Sequence, residues 1–343
     1  MRSIIQNNWF KRLLTLFVFA LVVYQAWQLG SAKNFGTAQY LQLALDGLRG
    51  GTIYALIALG FVTIYNVTGI INFGQGGFAM LGAMLAVTVN DWATLGSWPA
   101  APRLALAAII AVLLTTLIGL IIERVAIYPA RNAEPLTLII ITVGVFITMQ
   151  GIAFLIWGTD SYTLPAFTTM ALRDKTIRLA LGDSNIIIKA QSFWIWGTTA
   201  LVMILLALFF ERTMWGKALR ACAINRQAAR LMGISPNRMS ALSFALAAAL
   251  GAIGGIVLAP ATRPVYDMGL ILGLKGFVAA IMGGLVNAPA AVLGGILLGV
   301  IENVGAGVTK AGIKDIFAFL ILILVLLFRP NGILGSQEST EKV

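Results

Sequence analysis

Apolar residues occur in this chain as long unbroken blocks, not as the alternation of a half-buried strand or the single stripe of a surface helix. Runs near 20 apolar residues, about the length that crosses a bilayer core, predict about ten spans. They extend approximately from Leu13 to Leu29, Leu41 to Tyr65, Ile70 to Val89, Leu104 to Ile122, Leu136 to Trp157, Phe193 to Phe210, Met239 to Leu258, Met268 to Leu285, Ala290 to Ile301 and Ile316 to Phe328. The ninth is short, which points to a broken or re-entrant helix. Irregular backbone survives at membrane depth only where protein or a water-filled cavity covers it. The expected fold class is an all-α polytopic transmembrane bundle with some helices broken or re-entrant.

Charge punctuates these blocks unevenly. Between the sixth and seventh runs lies a basic loop, Leu219 to Ile234, with Arg220, Arg226 and Arg230. A short amphipathic helix there, basic side outward between two spans, has the design of a docking element for a cytoplasmic partner. Arg226 and Arg230, four positions apart, share a helix face. Ala228, Ala229 and Leu231 are candidates for its packed surface, and Gly233 is the expected helix end, where a left-handed residue needs no Cβ. An even number of spans puts both termini on the side of Arg124, Arg131, Arg212, Lys217, Arg220, Arg226, Arg230 and Arg238. The opposite side keeps Lys33, Arg103, Arg173, Lys175, Arg178, Lys189, Arg263, Lys310 and Lys314, so the overall bias is modest, and the dense loop from Arg212 to Arg238 makes the first side the expected cytoplasmic one. The longest external loop, Gly158 to Ser192, reads either as a surface for a soluble partner or as a solvated connector. The first run also resembles a signal peptide, but Gln25, Trp27 and Gln28 approach the small residues poorly, so it is expected to be retained as a helix.

Composition removes several function classes. Only 11% of the 343 residues are charged and 59% are hydrophobic, whereas a soluble domain carries about 25% charged residues. One cysteine, Cys222, excludes an internal disulfide, and the lack of histidine removes the commonest metal ligand and neutral-pH proton shuttle. No metal site or catalytic group is therefore assigned. A formal charge of +11 is scattered among apolar spans with no soluble module to hold a polyanion, so nucleic acid is not an expected partner. Anionic membrane lipid and the positive-inside bias account for it. No nucleotide-cradling Gly-Lys-Ser/Thr loop occurs, so a pump would need a separate ATPase. An ion-coupled carrier would be expected to place paired carboxylates or proton relays in its spans, and these are scarce. An integral-membrane enzyme lacks a clustered nucleophile and base.

Polar residues inside the apolar blocks are the remaining candidates. Glycine concentrates at 47–51, 69–77, 251–255 and 273–295, which suits close helix packing through small residues or broken helices lining a pathway. Asn72 and Gln75 are uncharged amides between apolar spans and can supply hydrogen bonds to a polar solute. With Phe73, Gly76 and Gly77 they form the candidate substrate pathway. Asp46 and Arg49 share a helix face and can neutralise each other. Lys275 and Glu302 lie in separate spans, where an isolated charge is costly, so either they pair or they lie near an interface. The sequon at Asn66 is a chance match at a span end.

Several segments, in order, resemble a known family: Tyr54 to Gly60, Gly69-Ile-Ile-Asn72-Phe73, Arg220-Ala-Cys-Ala, Ala228-Ala-Arg230-Leu-Met-Gly233-Ile, Gly276-Phe-Val-Ala-Ala, Gly283-Gly284 with Ala291 to Gly299, and Lys314-Asp315 followed by Leu326 to Gly335. Together they resemble the permease subunit of bacterial branched-chain amino acid ABC importers. The likeness covers about 41–335, which makes residues 1–40 an extension with an additional helix, 41–335 the permease domain and 336–343 a cytoplasmic tail. It implies a bacterial inner-membrane protein that imports branched-chain or other hydrophobic amino acids and is not an enzyme. It implies as partners a second related permease, two cytoplasmic ATPases that hold the ATP, and a periplasmic solute-binding protein. No cofactor is implied in this chain itself. The coupling segment of the family corresponds to Arg220 to Ile234, and Asn72 to Phe78 lies near the path by analogy. Two departures bear on this: Gly77 stands where the family often has an acidic residue, and Ile224 and Asn225 stand where its coupling segment often carries acids. Related permeases serve urea and short amides, so a urea or amide importer is the alternative.

Overall fold

The computed structural model describes residues 35–168, 177–181 and 184–329, with positions 28, 31, 33 and 332. The expected first span lies outside the described residues except for Gln28, as does the tail 336–343. Among the described residues, eleven α-helices of stated bounds follow in order: α1 Thr37–Thr68, α2 Gln75–Asn90, α3 Ala100–Ile122, α4 Pro135–Trp157, α5 Ala190–Arg212, α6 Met214–Ile224, α7 Arg226–Leu231, α8 Pro236–Leu258, α9 Met268–Gly283, α10 Ala288–Val308 and α11 Lys314–Phe328. A π-helical turn, Glu123–Ile127, prolongs α3.

Six of these are long and apolar enough to cross a membrane: α1, α3 with its π turn, α4, α5, α8 and α10. Of the about ten spans expected, some of them broken, these six are the ones of full membrane length among the described residues. α2 and α9 have 16 residues each and α11 has 15, so α2 and α9 reach about 24 Å at 1.5 Å per residue. Two boundaries explain the shortfall. Ile70 to Gly74 is apolar in sequence yet non-helical, and α9 ends at Gly284, whose φ of 91° stops the helix. The ninth run, expected to be broken, is instead the regular 21-residue α10. It continues past Glu302 because another helix neutralises that charge. α1 begins at Thr37, so the expected boundary at residue 40 falls inside a helix.

α1 is the axis of the bundle, and residues Gly51 to Ile64 are buried on every side. α10 lies along it through glycines. A Cβ on Gly47 would meet Val300 Cα at 2.6 Å, and one on Gly51 would meet Gly295 O at 2.7 Å. Small residues at four-residue spacing let two backbones touch, and in lipid that packing supplies much of the association energy. α8, α9 and α2 complete the inner layer. α3, α4, α5 and α11 form the outer layer, exposing Leu113, Val125, Leu155, Leu201 and Ile323. So large an apolar surface belongs in lipid or against a partner.

Two ionic arrangements hold the inner layer. Lys275 of α9 is 5% exposed and pairs with fully buried Glu302 of α10 and, at 2.6 Å, with Asp315 of α11; Lys314 stands 3.8 Å from Glu302. Of the two sequence readings, pairing is the one found. Asp46 and Arg49 pair at 3.6 Å as the spacing predicts. The all-α expectation needs one amendment. Within the long 158–189 connection, Ile177–Leu181 (β1) and Ser184–Ile188 (β2) form an antiparallel hairpin, Ile177 opposite Ile188. The Gln42 amide of α1 fastens it, accepting from Ile187 N at 2.8 Å and donating to Ile187 O at 3.1 Å.

Candidate translocation path and coupling segment

The break after α1 is built by local chemistry and closed from a distance. Gly69, with φ 72°, ends α1 in the left-handed conformation that an L side chain resists. The chain then turns back into the bundle. Ile70 N donates to Thr68 Oγ1 at 3.2 Å, and Phe73 N donates to Thr142 Oγ1 of α4, also at 3.2 Å. The one proton of Thr142 Oγ1 is shared between Ile139 O of its own helix at 2.8 Å and Ile71 O at 3.3 Å. One hydroxyl thus serves two backbone groups that no helix satisfies, as buried backbone requires.

Asn72 and Gln75 are both buried at this break. Asn72 Oδ1 accepts from Gly74 N at 3.0 Å, and Gln75 Nε2 donates to Ala247 O of α8 at 2.9 Å. Asn72 Nδ2 and Gln75 Oε1 have no partner among the described residues. Each amide is therefore half satisfied, which leaves one donor and one acceptor unpaired in an apolar interior. Phe73 stacks at 5.2 Å on Phe277 of α9, which also meets Phe61 of α1 at 5.7 Å. The glycines in this set have packing partners. A Cβ on Gly76 would lie 2.7 Å from Gly273 Cα of α9, and one on Gly77 would press on Met149 of α4. Gly76 thus brings the N-termini of α2 and α9 together.

The basic loop sits at the end of the bundle where α1 stops and α8 starts. It is not the one amphipathic helix the pattern suggested but two, α6 and α7, separated at Asn225. Asn225 caps α7, its Oδ1 accepting from Gln227 N at 3.0 Å and Ala228 N at 2.9 Å. α7 ends as expected at Gly233, φ 82°. Gly233 N donates to Arg230 O and Ile234 N to Ala229 O, a paired C-terminal closure that fixes the exit of the chain. Ala229 packs inward with Val67, Leu219, Cys222 and Met239. It is therefore corrected from the outward contact surface to the anchor of the segment. Ala228, Leu231, Met232 and Ile224 are exposed, Leu231 by 89%.

The arginines differ in placement. Arg220 lines an apolar crevice of about 360 Å³ with Asn66, Phe210, Leu219 and Val292. Asn66, the sequon residue, donates to Val286 O at 2.8 Å and so serves packing. Arg226 Nη1 approaches Thr68 O at 3.4 Å, tying α7 to the end of α1. Arg226 and Arg230 also line a polar cavity of about 680 Å³ with Arg131 of the α3–α4 connection. Arg131 lies about 95 residues before them in the chain, too far for spacing to signal that it would join them. Tyr128 stacks with Arg124 at 4.3 Å and Arg131 at 4.4 Å. Hydrogen bonding and charge from Arg131 pull its phenol below the ordinary tyrosine range. Burial pushes the Cys222 thiol up, with Arg226 opposing.

Residues 43–326 match the family model for the branched-chain amino acid transport system permease component. The chain is 37% identical over 309 residues to the high-affinity branched-chain amino acid transport system permease protein BraD of Pseudomonas aeruginosa, covering 89% of this chain and 98% of that protein. Against the corresponding LivH protein of Escherichia coli it is 33% identical over the same shares of the two chains. It is also 25% identical to LivM of Escherichia coli, over 93% of this chain and 74% of that protein. With the family model matched over most of its length, this chain belongs to the branched-chain amino acid transport system permease family.

Proposed function

We propose that this chain is the membrane-spanning permease subunit of an ATP-driven importer for branched-chain or other hydrophobic amino acids. The observation that carries this most is the 37% identity to BraD along 98% of that protein. That likeness favours amino acids over urea or short amides. The likeness to both LivH and LivM, which carry the same transport-system name, supports a second, related permease as partner. Two cytoplasmic ATPases would hold ATP and a periplasmic binding protein would deliver solute; this chain would supply passage without covalent chemistry or a cofactor of its own.

A ten-span topology in the bacterial inner membrane, both termini cytoplasmic, follows if the first apolar run, outside the described residues, also crosses and α2, α9 and α11 join the six long helices as spans completed through adjoining non-helical segments. For α2, residues 70–74 cover the remaining few ångströms, shielded by α4 and α8. The end bearing Arg131, Arg220, Arg226 and Arg230 is then cytoplasmic. In this scheme α6 and α7 form the ATPase-facing segment. Ala228, Leu231 and Met232 present the contact, Arg220, Arg226 and Arg230 flank it, and Ala229 and Gly233 set its angle. Asn72, Phe73 and Gln75 line the path, where the two unpartnered amide groups can exchange hydrogen bonds with a polar solute leaving water. Gly76 and Gly77 hold its walls together.

Deleting the gene tests the assignment. Uptake of labelled leucine, isoleucine and valine at low external concentration is expected to fall sharply and to return on complementation. Unchanged amino acid uptake with loss of urea or amide uptake would transfer the chain to the alternative.

A further inference from the structure

Three guanidinium groups from two segments line the polar cavity at the basic end: Arg131 from the α3–α4 connection, and Arg226 and Arg230 from α7. Asn132, Gln227 and Asn237 add amides to its wall, and among the described residues no carboxylate lines it. None of the ion pairs among the described residues involves these arginines. The start of α8 forms part of the same wall through Ser235, Pro236 and Asn237. Ser235 is its N-cap but makes no side-chain cap bond. Pro236, the first residue of this 23-residue helix, carries no N–H, so at the helix end on the cavity wall the Asn237 and Arg238 amides are the ones that Ser235 leaves uncapped. Like charges lining one cavity repel each other, and its guanidinium groups, amides and helix end all favour an anion.

We propose that this cavity is a binding site for the phosphate headgroup of an anionic phospholipid. Its geometry suits phosphate, since arginine forks and free helix amides both donate to tetrahedral oxygens. Its position selects lipid as the source. The connection carrying Arg131 joins the ends of α3 and α4, two membrane-length helices whose adjoining residues Val125 and Leu136 are 70% and 66% exposed. Acyl chains can lie on that apolar surface while the headgroup turns into the cavity. The bound headgroup bridges α7 to the α3–α4 connection, so it braces the basic segment against the helix bundle. This is separate from the contact proposed for Leu231 and Met232.

The test is lipid retention, which reads the site whether or not the transport assignment holds. The purified full-length chain, delipidated and re-exposed to phosphatidylglycerol or phosphatidylcholine, is examined by native mass spectrometry. The parent is expected to retain phosphatidylglycerol at least about 5-fold over phosphatidylcholine. Arg131→Gln, a change at an exposed loop residue, should abolish the preference, and Arg131→Lys should restore part of it. Asn132→Asp, which places a carboxylate in the same wall, should abolish it independently if Arg131→Gln proves unstable. Equal retention of the two lipids by the parent overturns the proposal, as does an undiminished preference in both Arg131→Gln and Asn132→Asp. Binding of inorganic phosphate with no enrichment of phosphatidylglycerol identifies a soluble anion as the occupant and overturns the lipid assignment.

Discussion

Replacing Lys275 with methionine is predicted to destabilise the bundle more than any single surface change, and the structure says where the damage falls. Lys275 touches two carboxylates, but their surroundings differ. Asp315 has a side chain 51% exposed, so water takes over when the ammonium is removed. Glu302 is fully buried, with one carboxylate oxygen, Oε2, lacking a hydrogen-bond partner among the described residues and Lys314 no nearer than 3.8 Å. The loss therefore concentrates on Glu302. Breaking a buried pair from one side costs about 3–5 kcal/mol, because it strands an uncompensated charge. Asp315→Asn, by contrast, should cost about 1 kcal/mol or less, as for exposed pairs. The double change Lys275→Met with Glu302→Leu removes both charges and should recover a large part of the loss, a coupling of about 1–3 kcal/mol. The assay is thermal unfolding of the purified chain in detergent, followed by the monodisperse fraction on size exclusion. Lys275→Met with parental stability, or a double variant worse than the sum of its singles, would refute the assignment of Glu302 as the buried charge that Lys275 neutralises.

The other predictions concern the path and the coupling segment. Leu231→Glu should leave the fold intact, since Leu231 is 89% exposed, yet weaken capture of the ATPases by about 30-fold or more, corresponding to the ~2 kcal/mol or more of an unpaired charge in a contact. Ala229→Glu should instead reduce the yield of folded protein, because Ala229 packs inward; the reverse pattern would show that α7 is turned the other way. Asn72→Leu and Gln75→Leu should each lower uptake about 10-fold while assembly with the second permease survives, through loss of hydrogen-bonding capacity along the path; unchanged uptake in both would return these amides to packing. Cys222, buried and with its thiol pushed up, should resist maleimide at pH 7, since the reactive thiolate is scarce below the pKa and its fraction rises only as pH approaches it. In a Cys222→Ser background, Leu231→Cys should label rapidly, and only from the cytoplasmic side; labelling of intact cells by an impermeant reagent would reverse the topology.

Much of the bundle was legible because long apolar blocks have few ways to fold in lipid. Leu136 to Trp157 and Met239 to Leu258 fall within α4 and α8 to within three residues at each end. Gly233 was legible for a local reason, the backbone conformation it alone adopts without strain. What could not be read depends on distant partners. Ile70 to Phe73 looks like the start of a span, but Thr142, about 70 residues later, supplies the hydrogen bonds that let it leave the helix. Glu302 and Asn303 interrupt the ninth apolar run, and only Lys275 on another helix shows why α10 continues through them. The orientation of Ala229 was misjudged because a six-residue helix has too few positions to define an apolar face by periodicity. Asn72 and Gln75 were identifiable as polar residues among apolar ones, whereas their half-satisfied state required Gly74 and Ala247 in place.

ATP-driven uptake of labelled leucine into proteoliposomes tests the central claim most directly. The liposomes contain this chain, its second permease and their ATPases, with the solute-binding protein supplied on the receiving side. Accumulation against a gradient is expected only when ATP and every component are present, with leucine, isoleucine or valine competing and urea not competing. Accumulation by this chain alone on a proton or sodium gradient, or a complete assembly that hydrolyses ATP yet carries urea and no amino acid, would contradict the account.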